Sequence, residues 1–340
     1  MDLWFQRGAA WASKKGCKKA EALDRQSVKN ITVIRHGAIG DQVVTRVFIQ
    51  EAKRFFPNAK ITLSLVNTHA YGAPTDIVDS VHMVHKKIDG QKTSIMQRFK
   101  EIKSLKNQDI IFDLAGTSIA KWISLLCGAK LCIGYPYREI ENIFYDVTVK
   151  RSDMVLETEN MLHQLYILGA KTQRPFDYGY EDYGVEEENP YIVYFTSASN
   201  EGKTWPKEHF IALGEKMAEA YPQYQHRFLD GLHAHEKVDD IVASLSQYTN
   251  VAKQEVLAYE EAMRFLARAK MAISNDTGVR NMAVAVNTPT LGIFFATIPY
   301  RYWPRDGMHE IAFTGEKQIP TSEYVFEVSS HHLRKIENEH

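Results

Sequence analysis

Three short stretches combine glycines, hydroxyls and charges in a way that suits binding an anion and doing chemistry beside it. The first is Arg35-His36-Gly37-Ala38-Ile39-Gly40-Asp41. Gly37 and Gly40 permit a tight turn and the close approach of another molecule. Asp41 falls where a helix should begin; taken alone it reads as an N-cap, a position that favours Asp. The second is Thr196-Ser197-Ala198-Ser199 with Lys203-Thr204-Trp205-Pro206. Hydroxyls and backbone amides there suit phosphate oxygens, and Lys203 adds a positive charge; the plainer reading is a surface lysine and a helix-start staple. The third is Ser274-Asn275-Asp276-Thr277-Gly278. Thr277 and the amides of Gly278 and Val279 would meet a diphosphate. Asp276 repels phosphate, so it either caps the helix or positions a neighbour.

Each stretch is a weak signal by itself, and the elements around them give it weight. Apolar runs at 31–35, 60–66, 109–114 and 130–134 read as strands, and 42–56, 93–106, 118–126 and 159–168 read as helices. Residues 171–190 are polar, acidic and rich in Gly, Pro and Tyr, the composition of a linker. The alternation then restarts, with strands at 191–195, 226–229, 271–274 and 290–294. Helices follow at 206–220, 236–246, 259–269, 279–286 and 323–335. Strand–helix alternation implies parallel sheets covered on both faces. The expected division is a basic leader over 1–29, a Rossmann-like domain over 30–170, the linker, a second Rossmann-like domain over 191–322, and a helical tail over 323–340. All three stretches fall at carboxyl ends of strands, where open α/β sheets bind ligands, and would face one interdomain cleft.

The bulk properties narrow the function. The chain has 340 residues, 44% hydrophobic and 24% charged, with a net charge of -1. The basic field expected of a nucleic-acid binder is absent. Cys17, Cys127 and Cys132 form no paired spacing and fit a reducing cytosol. No apolar run of about 18 residues reads as a membrane span, and the opening residues lack the apolar core of a signal peptide. That opening carries Arg7, Lys14, Lys15, Lys18 and Lys19 among Trp4, Phe5 and Trp11. It reads as a solvated or docked leader, or as a peripheral contact with an anionic membrane face.

In the order IRHGAIGDQVVT, FPNAKITLSL, TSASNEGKTWPKEHF and SNDTGVRNMAVAVNTPTLGIFF, the sequence resembles glycosyltransferase family 9, the heptosyltransferases of lipopolysaccharide core assembly. The resemblance runs over residues 30–335. It implies an α/β GT-B fold of two Rossmann-like domains and inverting, metal-independent transfer with no cofactor. The implied substrates are a nucleotide-sugar donor such as ADP-heptose and a lipid-linked oligosaccharide acceptor at the cytoplasmic face of the inner membrane. By the same resemblance Asp41 is the general base, with Gly37 and Gly40 in the acceptor loop. Lys203, Thr196 and Ser197 contact donor phosphate, Asp276, Thr277 and Gly278 form the phosphate cradle, and Glu236 binds ribose. The sequence departs from the family pattern near the expected donor site. Asn281, preceded by Arg280, stands where the family often has His, and Phe294-Phe295-Ala296-Thr297-Ile298-Pro299 replaces Phe-Gly-Pro-Thr-Asp-Pro. Val47 replaces a proline of the first helix.

Other clusters read more plainly. His226, His233 and His235 match no strong metal-ligand spacing. Tyr300 to Trp303 would stack a ring or pack the fold. Lys86 to Lys106 would face acceptor phosphates or solvent. Two rival functions remain open: a nucleotide-sugar epimerase or hydrolase, which would consume donor without acceptor, and a nucleotide-sugar-binding protein without catalysis.

Overall fold

The run Asn30–Ile34 (NITVI) has four β-branched residues in five and is buried at its last four positions. That is the signature of a parallel strand covered on both faces. The computed structural model describes residues 8–183 and 188–338, and the chain separates into two units, 1–179 and 180–340.

In the first unit, in chain order, β1 is Trp11–Ala12, α1 Lys14–Glu21, β2 Asn30–Ile34, α2 Ile39–Phe55, β3 Lys60–Val66 and β4 Ser80–Val84. A small hairpin follows, β5 Lys87–Ile88 and β6 Gln91–Lys92. Next are α3 Ile95–Ile102, β7 Ile110–Asp113, α4 Ser118–Leu126, β8 Leu131–Gly134, β9 Val147–Thr148 and α5 Glu157–Tyr166. The sheet order is β1-β9-β8-β7-β2-β3-β4. Every pairing is parallel except β1 with β9. Ile34 pairs with Ser64 on one side and Asp113 on the other. Ile34, Val66, Val84, Ile111, Ile123, Cys127 and Cys132 share one buried cluster, so both of these cysteines are core residues with free thiols.

In the second unit β10 is Tyr191–Phe195, α6 Lys207–Ala220, β11 Gln225–Leu229, α7 Asp239–Ser244, β12 Val251–Gln254 and α8 Tyr259–Ala267. Then come β13 Met271–Asn275, α9 Gly278–Ala285, β14 Thr290–Ile293, β15 His309–Ala312 and α10 Ser322–Asn338. The sheet order is β12-β11-β10-β13-β14-β15, parallel throughout. Trp205, Phe210, Met217, Phe228, Leu291 and Leu333 are part of its core. Leu333 and Ile336 place the expected C-terminal tail helix inside that core.

The expected leader also joins a sheet. Trp11 and Ala12 pair with β9, Ser13 Oγ caps α1 by accepting from Gly16 N at 2.8 Å, and Lys19 donates to both oxygens of Asp146. Trp4, Phe5 and Arg7 lie outside the described residues. The segment expected as linker is held near its middle: Arg46 donates to the carbonyls of Tyr178 and Gly179. Helix α2 begins at Ile39, three residues before the expected 42, and α3 is shorter than the expected 93–106. Strands β4, β12 and β15 carry no unbroken apolar run; β4 and β12 leave most positions at least partly exposed, as edge positions allow.

Two histidines of the second unit are buried neutral. His226 lies against Tyr194 Oη at 2.8 Å, and burial pushes its pKa down to about 4. Burial, with Arg280 and His332 nearby, holds His309 at about 3. The unfolded chain binds these protons near the ordinary histidine value of about 6.5, so stability is full above that pH and falls as pH drops toward the folded values. At pH 5 the loss should be on the order of 2 kcal/mol per histidine relative to pH 7.5. Urea denaturation followed by tryptophan fluorescence measures it, and His226→Gln should remove one share; an unchanged midpoint at pH 5 would refute the assignment.

Candidate active-site residues

In the first sheet the chain runs outward from β2 to β3 and β4, then returns to the other side of β2 as β7. The loops after β2 and β7 therefore flank a topological switch point, where doubly wound sheets bind ligands. Arg35 directly follows β2 and is only 2% exposed. Its Nη1 donates to Leu114 O at 2.6 Å, and its Nη2 donates to Asp41 Oδ1 at 2.6 Å and Glu157 Oε1 at 2.9 Å. Glu157 also accepts from Arg151 Nε at 3.1 Å. Two guanidiniums thus meet two carboxylates.

Asp41 is the third residue of α2, and Ala38 occupies the cap position without a side-chain cap bond. The carboxylate expected at or near the N-cap is instead paired with the buried arginine, with a quarter of the side chain exposed. A Cβ on Gly37 would lie 2.5 Å from both Asp41 Cβ and Oδ2, so this glycine makes the room Asp41 occupies. Gly40 is buried in the first turn of α2. Gln42, fully buried, reaches the carbonyls of Arg35, Gly37 and His69 and so fixes the loop. Sequence reading passed over His36. Its Nδ1 lies 2.8 Å from the Oγ1 of Thr117, the N-cap of α4, and burial with cationic neighbours holds its pKa down to about 3. A neutral imidazole therefore lines this corner.

The second sheet repeats the logic. The chain leaves β10 for β11 and β12 and returns beside β10 as β13. The loop after β10 carries Thr196, Ser197 and Lys203, and the turn after β13 carries Asp276, Thr277 and Gly278. One residue ties them. Asn275, at the end of β13, donates from Nδ2 to Thr196 O at 2.7 Å and accepts at Oδ1 from Trp205 N at 3.0 Å. Trp205 is fully buried, and its indole donates to Pro320 O at 2.8 Å; it is a core anchor for the loop, beyond the staple read from sequence. Thr277 caps α9 by accepting from Val279 N at 3.0 Å. Asp276 is therefore not the cap. Its Oδ2 accepts from Lys203 Nζ at 2.9 Å and from Thr297 Oγ1 at 2.8 Å, so it positions two groups that can turn toward an anion.

Thr297 sits in the segment that departs from the family pattern, and nothing local in the sequence marked it. Arg280, the other departure, is buried, donates to Tyr302 O at 2.6 Å and lies over the Phe294 ring. It fastens the 300–303 strip to α9. Glu236 stands apart, in the turn after β11, where its Oε2 accepts from His233 N at 3.0 Å. The three histidines of that region separate: His226 is in the core, while His233 and His235 stack on each other in an exposed turn. Among the described residues no group of three or more His, Cys, Asp or Glu is arranged to hold a metal ion, and no helix is long and apolar enough to cross a membrane.

Two parallel sheets, each with its polar corner at the switch point, define the class: an α/β protein of the GT-B fold. The model of glycosyltransferase family 9 (heptosyltransferase) matches residues 98–325, and the chain belongs to that family. It is 24% identical over 221 residues to lipopolysaccharide heptosyltransferase 1 of Pseudomonas aeruginosa, covering 62% of this chain and 60% of that protein. It is 28% identical over 130 residues to the Campylobacter coli enzyme of the same name, covering 37% of each. The chain thus matches less than two thirds of the length of these relatives. E. coli heptosyltransferase WaaC with ADP-2-deoxy-2-fluoro heptose shares the fold at a TM-score of 0.70 and 18% identity, over 89% of this chain and 99% of that one. The UDP-GlcNAc 2-epimerase of Neisseria meningitidis bound to UDP-GlcNAc shares it more loosely, at 0.52 and 12% identity, over 91% and 92%.

Replacing Asn275 with Ala would leave the buried Trp205 amide without its acceptor, at a cost of about 1–3 kcal/mol. The expected result is a lower urea midpoint and early loss of hydrogen-exchange protection at Trp205. Asn275→Asp, which keeps the acceptor, should preserve protection there. Equal protection in all three proteins would show that Asn275 does not hold the loop.

Proposed function

We propose that this protein is an inverting, metal-independent glycosyltransferase. It moves a sugar, heptose, from a nucleotide-diphospho-sugar such as ADP-heptose to a hydroxyl of a lipopolysaccharide-type, lipid-linked oligosaccharide. The observation that carries the reading is the pair of corners: a carboxylate fixed by a buried arginine at one switch point, and a lysine, a capping threonine and a helix N-terminus at the other.

The acceptor oxygen attacks the anomeric carbon, the bond from that carbon to the phosphate oxygen breaks, and the hydroxyl proton passes to Asp41. A carboxylate is a weak base, so the proton moves late, once the developing oxocarbenium centre has acidified the hydroxyl. The leaving diphosphate gains negative charge. Lys203, Thr196, Ser197, Thr277 and the amides of Gly278 and Val279 would receive it. Asp276 keeps Lys203 aimed, and Thr297 shares that carboxylate. Glu236, with one oxygen engaged by His233 N, would accept from ribose with the other. These donors supply the stabilisation a metal ion would otherwise give.

Asp41→Asn should lower turnover by about 10²–10⁴-fold, the usual worth of a general base, while ADP affinity by calorimetry stays the same. Wild-type turnover in that variant would remove Asp41 from the mechanism. Lys203→Ala should weaken donor binding and cut turnover by about 10²–10³-fold; unchanged kinetics would return it to the protein surface. Transfer should survive excess chelator, and a loss that magnesium restores would overturn metal independence. Donor consumed equally well without acceptor would favour an epimerase or hydrolase over the transferase.

A further inference from the structure

Helix α3 presents two faces of opposite purpose. Ile102 joins the core beside Val84, Ile123 and Cys127. On the other side Ile95 and Met96 are 80% and 76% exposed, and Phe99 is exposed too. Positions 95, 99 and 103 recur at helical spacing, so they form one outward strip, along which Lys103 Nζ lies 4.7 Å from the Phe99 ring centroid. Ile88 in the neighbouring hairpin is exposed as well, and so are Trp122 and Leu125 on α4, which packs beside α3.

The charge around this strip is mostly positive. Residues 86–106 contain seven Lys and Arg against two acidic residues, in a chain whose net charge is -1. Lys87, Lys92, Lys100, Lys103 and Lys106 are exposed. The two acidic residues offset them only in part. Glu101 turns inward, accepting from His85 N at 2.8 Å, from Gln97 Nε2 at 3.1 Å and lying 3.0 Å from His85 Nδ1, and Asp89 is exposed in the hairpin turn. Protein–protein interfaces are depleted in lysine and pair their charges. Protruding apolar side chains in a field of exposed lysines instead match the apolar and anionic layers of a bilayer surface.

We infer that the outer face of α3, with the β5–β6 hairpin, docks this protein on anionic phospholipid. Ile95, Met96 and Phe99 enter the headgroup–acyl boundary and the lysines lie against lipid phosphates. The α1 helix is less suited, because it carries exposed lysines but no exposed large apolar side chain. Docking needs neither donor nor acceptor, so it is measured apart from the transfer reaction.

The test is co-sedimentation of the full chain with vesicles of phosphatidylglycerol and phosphatidylcholine, or of phosphatidylcholine alone. Binding to the first and not the second is expected, with release by salt. Lys100→Glu with Lys103→Glu should weaken binding by about 25-fold or more, at roughly fivefold per lysine. Ile95→Ser with Phe99→Ser should weaken it by at least about tenfold. Lys14→Glu with Lys15→Glu and Lys18→Glu should leave it unchanged. Thermal midpoints check folding; if the apolar pair misfolds, the lysine pair on the exposed face decides. No binding to phosphatidylglycerol, equal binding to phosphatidylcholine, wild-type binding by the α3 lysine variant, or loss confined to the α1 variant would each overturn the proposal.

Discussion

A guanidinium cut off from water at the end of a central strand cannot stand without counter-charge, because desolvating an ion costs several kcal/mol even after relaxation. Arg35 meets that demand with Asp41 and Glu157. The consequence reaches both ways. Glu157 opens α5, more than a hundred residues later in the chain, so the arginine ties the last helix of the first unit to the first strand–helix turn. Asp41, in exchange, loses the freedom of a surface carboxylate. The same ion pair that stabilises the turn fixes the proposed base in one direction. Here the needs of folding and of chemistry fall on one bond, and Gly37 is the condition for it, since a Cβ there would occupy the space of the carboxylate.

The second unit solves a related problem with a neutral residue. A loop that would offer hydroxyls and a lysine to an anion, as proposed for Thr196, Ser197 and Lys203, cannot be long and loose, or ordering it on binding would cost affinity. Asn275 uses both ends of its amide on that loop, and Trp205 pins the loop's far end in the core. The Lys203–Asp276 pair then sits on a rigid base. A carboxylate beside a phosphate site looks adverse, yet it orders a flexible lysine in advance and leaves the ammonium's other donors able to reach a more highly charged anion.

The central strands were legible because strands buried on both faces leave unbroken runs such as ITVI and YIVYF. The edge strands were not: SVHMV and VAKQ mix exposed and buried positions. The site was legible as motifs and not as contacts. Nothing in the spacing of Arg35 and Asp41 says that they pair, since a separation of six is no helical neighbour, and Glu157 enters only through the tertiary fold. His36 and Thr297 escaped for the same reason. Asn275, given no role of its own in the sequence, braces the loop. Of the readings the leader's composition allowed, docking is the one that Trp11–Ala12 follows, pairing with the sheet edge at β9.

Function cannot rest on the two-sheet arrangement, because the epimerase-type chain shares it as well. What separates a transferase from an epimerase is which groups face the reacting carbon. An epimerase must act on the sugar ring itself; a transferase needs one base for a second molecule and a strong hold on the leaving diphosphate. The first unit supplies an arginine-bound carboxylate, Asp41, and in the same loop a histidine kept neutral by burial. A neutral imidazole adds no charge to compete for Asp41. The second unit supplies cationic and N–H groups gathered at one helix start. The proposed division of labour, one corner taking a proton and the other holding phosphate, is the reading that favours group transfer to an acceptor.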